Sequence, residues 1–163
     1  MTPMTIRYRY DRDFAALVAR RFILRYMRKL LILTAVIVVT GAISFFYEPF
    51  NFYGIAAGVL VLAVALSVWR YRRRAVALAE RLGPMEISLT IADEGLTVEA
   101  PMQKSTGTWN RERVIWTYPD IWILFPYGES SAYSAVPVAA MTDEFQEAFL
   151  SLTKAAGGRV RPF

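Results

Sequence analysis

Gly128-Glu129-Ser130-Ser131-Ala132 falls one residue short of G-x-S-x-G, the spacing that lifts a serine nucleophile onto a sharp strand-to-helix turn. Such a serine needs a base, and the 163-residue chain contains no histidine. It contains no cysteine either, which removes thiolate metal sites, cysteine nucleophiles and disulfides. The segment after the serines reads as a strand rather than a helix, so this stretch is expected to be a hairpin loop. Pairing a serine with Lys104 or Lys154 has no supporting spacing. Asp93, Glu94, Glu99, Glu112, Asp120 and Glu129 are the remaining groups suited to hydrolysis. That chemistry requires two carboxyls facing one cleft with separated pKa values. These six fall in turns or on the polar faces of strands, and no D-x-D-x-D-G calcium loop occurs. No catalytic, cofactor-binding or metal-binding residue is expected.

The aromatic residues have another use. Trp109, Trp116, Trp122 and Tyr127 lie within 19 positions, with Phe125 and Tyr133 beside them. Most are needed as core, because that part of the chain has few other large apolar residues. Any left exposed would form an interaction patch, and Trp109, Trp116, Trp122 and Tyr127 are the candidates for it.

What positions these residues begins with two apolar runs. Residues 30–47 and 50–69 carry no charge, and Glu48-Pro49 separates them. About 20 apolar residues at 1.5 Å rise cross a bilayer core of about 30 Å, so each run suffices for one crossing. The residue before a proline leaves the helical region and Pro49 suits a first turn, which predicts a tight turn between antiparallel helices. Phe45, Phe46, Tyr47, Phe50, Phe52 and Tyr53 ring that turn as an interfacial belt, and Tyr26, Trp69 and Tyr71 mark the other side.

The charge is sorted along the chain. Residues 1–29 carry +6, 70–84 carry +4, and 85–156 carry −6. The acidic C-terminal segment argues against nucleic acid as a partner. Arg20, Arg21, Arg25, Arg28, Lys29 and Arg70, Arg72, Arg73, Arg74 form a collar on one side of the two runs, while the turn has no basic residue. The positive-inside rule then puts both termini in the cytoplasm. The collar suits contact with anionic phospholipid head groups, each charge contributing about 1 kcal/mol near such a leaflet. Gly54 and Gly58 make a GxxxG, which allows homodimerisation or close packing of Gly41 and Ala42 within the hairpin.

Around the hairpin the period changes. MTIRYRY (4–10) alternates as a strand, and Asp11 or Asp13 can cap an amphipathic helix running into the first span. Gly83-Pro84 ends the second helix. MEISLTIA and LTVEA then form a hairpin over Asp93-Glu94-Gly95. Strands follow near 104–109, at 111–118 and 121–125 across Pro119-Asp120, and at 132–137. Thr142 or Asp143 caps a final helix faced by Phe145, Ala148, Phe149 and Leu152, ended by Gly157-Gly158.

The expected fold is an α+β membrane protein: a two-helix transmembrane hairpin and a small antiparallel sheet or half-barrel closed by a C-terminal helix. Residues 1–10 are a strand joining that sheet, 11–82 the basic helix and hairpin, 85–156 the cytoplasmic domain and 157–163 a basic tail. IRYRYDRDF, the two spans, ISLTIADEGLTVEA, GTWNRERVIW, YSAVP and DEFQEAFLSL together resemble the YcxB-like family of bacterial membrane proteins over roughly residues 5–155. The resemblance implies a pleckstrin-homology-like (PH-like) domain and no catalytic residues. The family commonly places a basic residue after the last strand's proline, where this chain has Val138-Ala139-Ala140. The function expected is a non-enzymatic interaction module anchored in a bacterial inner membrane, binding a protein partner. The alternative is a lipid-responsive sensor using the collar. A membrane-bound hydrolase ranks third, and a subunit of a transport complex, suggested by Glu48, ranks after it.

Overall fold

The computed structural model describes residues 2–47, 52–101, 103–110, 113–129 and 133–163. The chain divides into an α+β unit (residues 1–11 with 82–163) and a helical unit (residues 12–81) inserted between its first two strands. The expected turn at Glu48-Pro49, the side chains of its aromatic belt, and Ser130 to Ala132 lie outside the described residues.

In the α+β unit, four antiparallel strands follow one another in sheet A: β1 (Met4–Tyr10), β2 (Met85–Ala92), β3 (Gly95–Ala100) and β4 (Gln103–Thr108). β1 runs the full length of β2, from Met4 opposite Ile91 to Tyr10 opposite Met85. Alternation sorts the two faces. Ile6, Tyr8, Leu89, Ile91 and Leu96 are buried. On the other face a row of threonines crosses all four strands, Thr5–Thr90–Thr97–Thr106. Within it the hydroxyls of Thr5 and Thr90 are 2.8 Å apart and those of Thr97 and Thr106 3.3 Å. The next row reads Arg7, Ser88, Glu99, Lys104. Cross-strand pairs of these kinds let β4, with no apolar residue, hold its place at the sheet edge.

Sheet B has the order β7–β6–β5–β8: β5 (Val114–Thr117), β6 (Ile121–Phe125), β7 (Ser134–Pro137) and β8 (Arg159–Pro162). Every residue of β6 is buried. One of its faces meets helix α4 (Asp143–Ala155) through Trp122, whose ring lies 5.9 Å from Phe149. On the other, Phe125 packs against Trp116 at 4.6 Å and Tyr133 at 5.9 Å. Thr142 caps α4, its hydroxyl accepting from the Phe145 N–H at 3.2 Å. The helix ends at Gly157, whose φ of 76° suits only a residue without a Cβ.

Two expectations change here. The strands form two sheets rather than one, and residues 159–162 are no loose tail but a strand parallel to β5, from Arg159 opposite Val114 to Pro162 opposite Thr117. A four-residue basic segment ending in proline is too short for its alternation to announce a strand. Its place comes from the turn after α4, where the Gly158 N–H reaches the Thr153 carbonyl and the Arg159 N–H the Arg113 carbonyl.

Tyr8 links the first strand to sheet B, its hydroxyl donating to the Ala135 carbonyl at 2.8 Å. Burial, reinforced by Tyr10, pushes its pKa well above the usual phenol value. The folded state therefore keeps a proton that the unfolded chain loses near pH 10. Stability from this group is complete below that pH and falls as pH rises above it. Tyr8→Phe is expected to cost about 1–2 kcal/mol at pH 8, because a buried carbonyl loses its donor. It should also flatten the alkaline decline by up to about 1.4 kcal/mol per pH unit. Denaturation midpoints in detergent from pH 8 to 11 check both.

The helical unit comprises α1 (Arg12–Tyr26), α2 (Arg28–Tyr47) and α3 (Phe52–Leu82). α1 does not run straight into α2: Met27 interrupts them, although Met27 N–H to Ile23 and Leu31 N–H to Met27 continue the helical bonding. Ile55–Leu82 is long and apolar enough to cross a membrane, with mean hydropathy 1.5 and only 11% of its apolar window buried, unlike the core helix of a soluble domain. In α2 the described apolar stretch is Leu30–Ile43. The hydroxyls of Thr34, Thr40 and Ser67 each donate to the carbonyl four residues back, so these polar groups are satisfied within their own helices.

Candidate membrane-facing site

α3 outlasts its apolar stretch by more than three turns, so Arg70, Arg72, Arg73 and Arg74 project from a rigid helix rather than a linker. All four are exposed. On the preceding helices Arg20 and Arg28 are exposed and Arg21 and Arg25 half-buried, while the side chain of Lys29 lies outside the described residues. α1 holds its side of the collar through Ala15, Val18, Ala19 and Ile23, buried at helical spacing, and through Phe22 stacked on Tyr71 at 5.6 Å.

Where α1 begins, the two helices enclose a cleft of about 390 Å³ lined by Arg12, Asp13 and Ala16 from α1 and Trp69, Arg72, Arg73 and Val76 from α3. The Arg12 Nε is held by Glu80 at 3.1 Å. The Arg73 guanidinium lies over the Trp69 ring at 5.2 Å. Trp69 itself is 54% exposed. Arg12 was not among the expected collar residues. Seven residues of amphipathic helix separate it from Arg20, and only the packing of α1 on α3 brings it to Arg72 and Arg73.

Gly58 is exposed, and a Cβ built on it would meet nothing within 4 Å among the described residues, so of its two expected roles close packing within the hairpin gains no support there and homodimerisation is untouched. Gly41 is buried, as are Thr34 on the same helix and Ala57 and Val64 on α3. Each pair is seven residues apart and so shares one face of its helix. The Gly54 side of the motif lies outside the described residues.

The aromatic patch also breaks up. Trp116 and Trp122 are 1% and 5% exposed and belong to the core. Trp116 donates its Nε1–H to Glu129 at 3.0 Å, and Glu129 pairs with Arg161 at 2.7 Å. Trp109 is half-buried, its Nε1–H donating to the Ala92 carbonyl at 2.8 Å and its ring meeting Phe149 edge-on at 5.4 Å. Tyr127 alone of the four is exposed, at 65%. The residues share a strand-rich segment, but β5 and β6 are buried on both faces, which alternation within one strand does not reveal.

Sequence reasoning missed Arg113. It is 2% exposed, lies over Trp109 at 5.1 Å and donates from Nη2 to the Thr108 carbonyl at 3.0 Å. Its Nε has no hydrogen-bond partner among the described residues. Burial lowers its pKa and Tyr127 opposes the shift, but an arginine remains charged throughout the physiological range. It ties the end of β4 to the start of β5.

The carboxylates are dispersed. Asp93 and Glu94 lie in the β2–β3 turn, Glu99 faces Lys104, Asp120 sits in the β5–β6 turn and Glu129 is paired with Arg161. No group of three acidic residues that could hold a metal occurs among the described residues. Comparison of the chain with family models, curated proteins and solved structures finds no match.

Proposed function

We propose that this chain is a non-enzymatic, membrane-anchored interaction module of a bacterial inner membrane. α2 and α3 form the two-span hairpin, and the α+β unit is displayed on the cytoplasmic side as a PH-like domain. The pairing of Tyr10 with Met85 carries this reading. Those residues are neighbours in one sheet, so the chain between them leaves and returns on the same side of any membrane. It must therefore cross an even number of times. With α3 long and apolar enough for one crossing, α2 is the return. The arginines at the near ends of both helices favour the cytoplasmic side.

Four antiparallel strands, then an antiparallel set, then a helix is also the order of a PH-like half-barrel, which supports the YcxB-like resemblance; the parallel strand β8 after the helix is an addition to that order. The surface offered to a protein partner is the outer face of sheet A. Arg7, Glu86, Ser88 and Glu99 line two shallow clefts there, of about 410 and 360 Å³, with Arg9 and Tyr8 in the first and Ala100 and Pro101 in the second. Native mass spectrometry after gentle extraction tests the proposal. A protein retained at fixed stoichiometry by the wild type and lost on Glu99→Lys supports it. Wild-type protein carrying anionic lipid alone overturns it in favour of the lipid-responsive reading, which the arginine cleft on α1 and α3 favours.

A further inference from the structure

The cleft beside the end of the apolar stretch is lined by three arginines from two helices, Arg12, Arg72 and Arg73. Arg72 and Arg73 lie three and four residues beyond Trp69, about 4.5–6 Å further along the axis. An interfacial indole sits at head-group level, which puts these guanidinium groups at the height of the lipid phosphates. Other members of the collar, Arg20, Arg28, Arg70 and Arg74, do not line the cleft.

We propose that this cleft seats the head group of one anionic phospholipid, its phosphate held by Arg12, Arg72 and Arg73 and its glycerol by Asp13. The proposal rests on the membrane-anchored reading above and adds to it a defined site in place of a diffuse charged collar.

The geometry assigns each group a task. Glu80 occupies the Arg12 Nε and so orients the guanidinium, leaving its terminal nitrogens for two oxygens of a phosphate. Stacking on Trp69 fixes Arg73 in the same way and limits the entropy lost on binding. Asp13 is the one carboxylate in the lining, an acceptor for head-group hydroxyls. It also separates ligands. A phosphoglycerol brings one negative charge and hydroxyl donors, whereas a zwitterionic phosphoethanolamine leaves the excess of arginines uncompensated. Ala16, Val76 and the Trp69 ring supply the apolar wall against which the glycerol backbone of the lipid rests. A volume of about 390 Å³ is of the size that small-molecule sites use.

Full-length protein in nanodiscs of phosphatidylcholine containing a minority of phosphatidylglycerol, released into native mass spectrometry, is the test. The wild type should retain one phosphatidylglycerol. R72Q/R73Q should lower its retention about tenfold or more. R70Q/R74Q removes the same charge outside the cleft and should lower it by a clearly smaller factor. R72K/R73K, which keeps charge and loses the fork geometry, should fall between the wild type and R72Q/R73Q. Equal losses in the two glutamine doubles would overturn the site in favour of a diffuse collar. Displacement of the lipid by excess inorganic phosphate or glycerol 3-phosphate would overturn the lipid assignment and give the site to a soluble phosphate. Equal retention of phosphatidylethanolamine, in discs where it replaces phosphatidylglycerol, would also overturn it. Protein that fails to enter nanodiscs at all defeats the anchoring reading, a result distinct from insertion without lipid preference, which defeats the site alone.

Discussion

Phe149→Ala lowers the stability of the α+β unit by about 3–5 kcal/mol, the largest effect expected from one core side chain. Phe149 is 1% exposed and stands at the junction of three elements. Its ring meets Trp109 from the end of β4 at 5.4 Å, Trp122 from β6 at 5.9 Å and Phe145 on its own helix at 6.1 Å. Truncation opens a cavity walled by rings and by the backbone of α4, and Trp109 cannot move into it without breaking its bond to the Ala92 carbonyl. Denaturation in detergent, followed by tryptophan emission, reads the loss directly, since Trp109, Trp116 and Trp122 all report on this unit. Helical circular dichroism from residues 12–81 should persist through the transition. A change below about 1 kcal/mol would show that α4 is not the lid of this core.

Leu62→Arg should release the protein from the membrane fraction. Leu62 lies near the middle of the apolar part of α3 and is 61% exposed. An arginine at the centre of a span raises the insertion cost by about 2.5–3.5 kcal/mol. Leu78 is a matched control on the same helix, 57% exposed but beyond the arginines. The same substitution there should leave membrane retention at the wild-type level, because on the proposed topology that turn lies in water. Resistance to alkaline carbonate extraction distinguishes the two. If Leu62→Arg stays as resistant as the wild type, α3 does not cross the bilayer.

Sequence patterning revealed the strands wherever one face is wet. MEISLTIA alternates because sheet A has one polar face, and its limits coincide with β2, residues 85–92. IWILF was legible for the opposite reason, as an apolar run too short for a helix, and it is β6. Gly83, with φ of 70°, marks the end of α3 as its neighbour Pro84 suggested. What stayed hidden depends on groups that pattern alone does not pair. β8 is held by backbone bonds to β5, for which a sequence such as Arg-Val-Arg-Pro carries no sign. The exposure of Trp116 and Trp122 turned on both faces of sheet B being covered, a property of the assembled unit. Nothing in the sequence around Arg113 marks it for burial, yet it lies over Trp109 inside the unit. The lipid cleft was half legible: Arg72 and Arg73 stood out in a basic run, whereas Arg12 joins them only because α1 folds back on α3.

The long pairing of β1 with β2 also sets the order of events during synthesis. β1 leaves the ribosome first, yet its partner is made only after all of residues 11–84, about 4–15 s later at typical elongation rates of ~5–20 residues per second. During that interval the nascent strand has no native partner. Arg7 and Arg9, alternating with Ile6 and Tyr8, suit that delay, since charges on one face discourage non-native strand pairing. The first sheet of the α+β unit can therefore close only after the whole helical unit has been made, which ties completion of that sheet to the folding of the segment inserted in it.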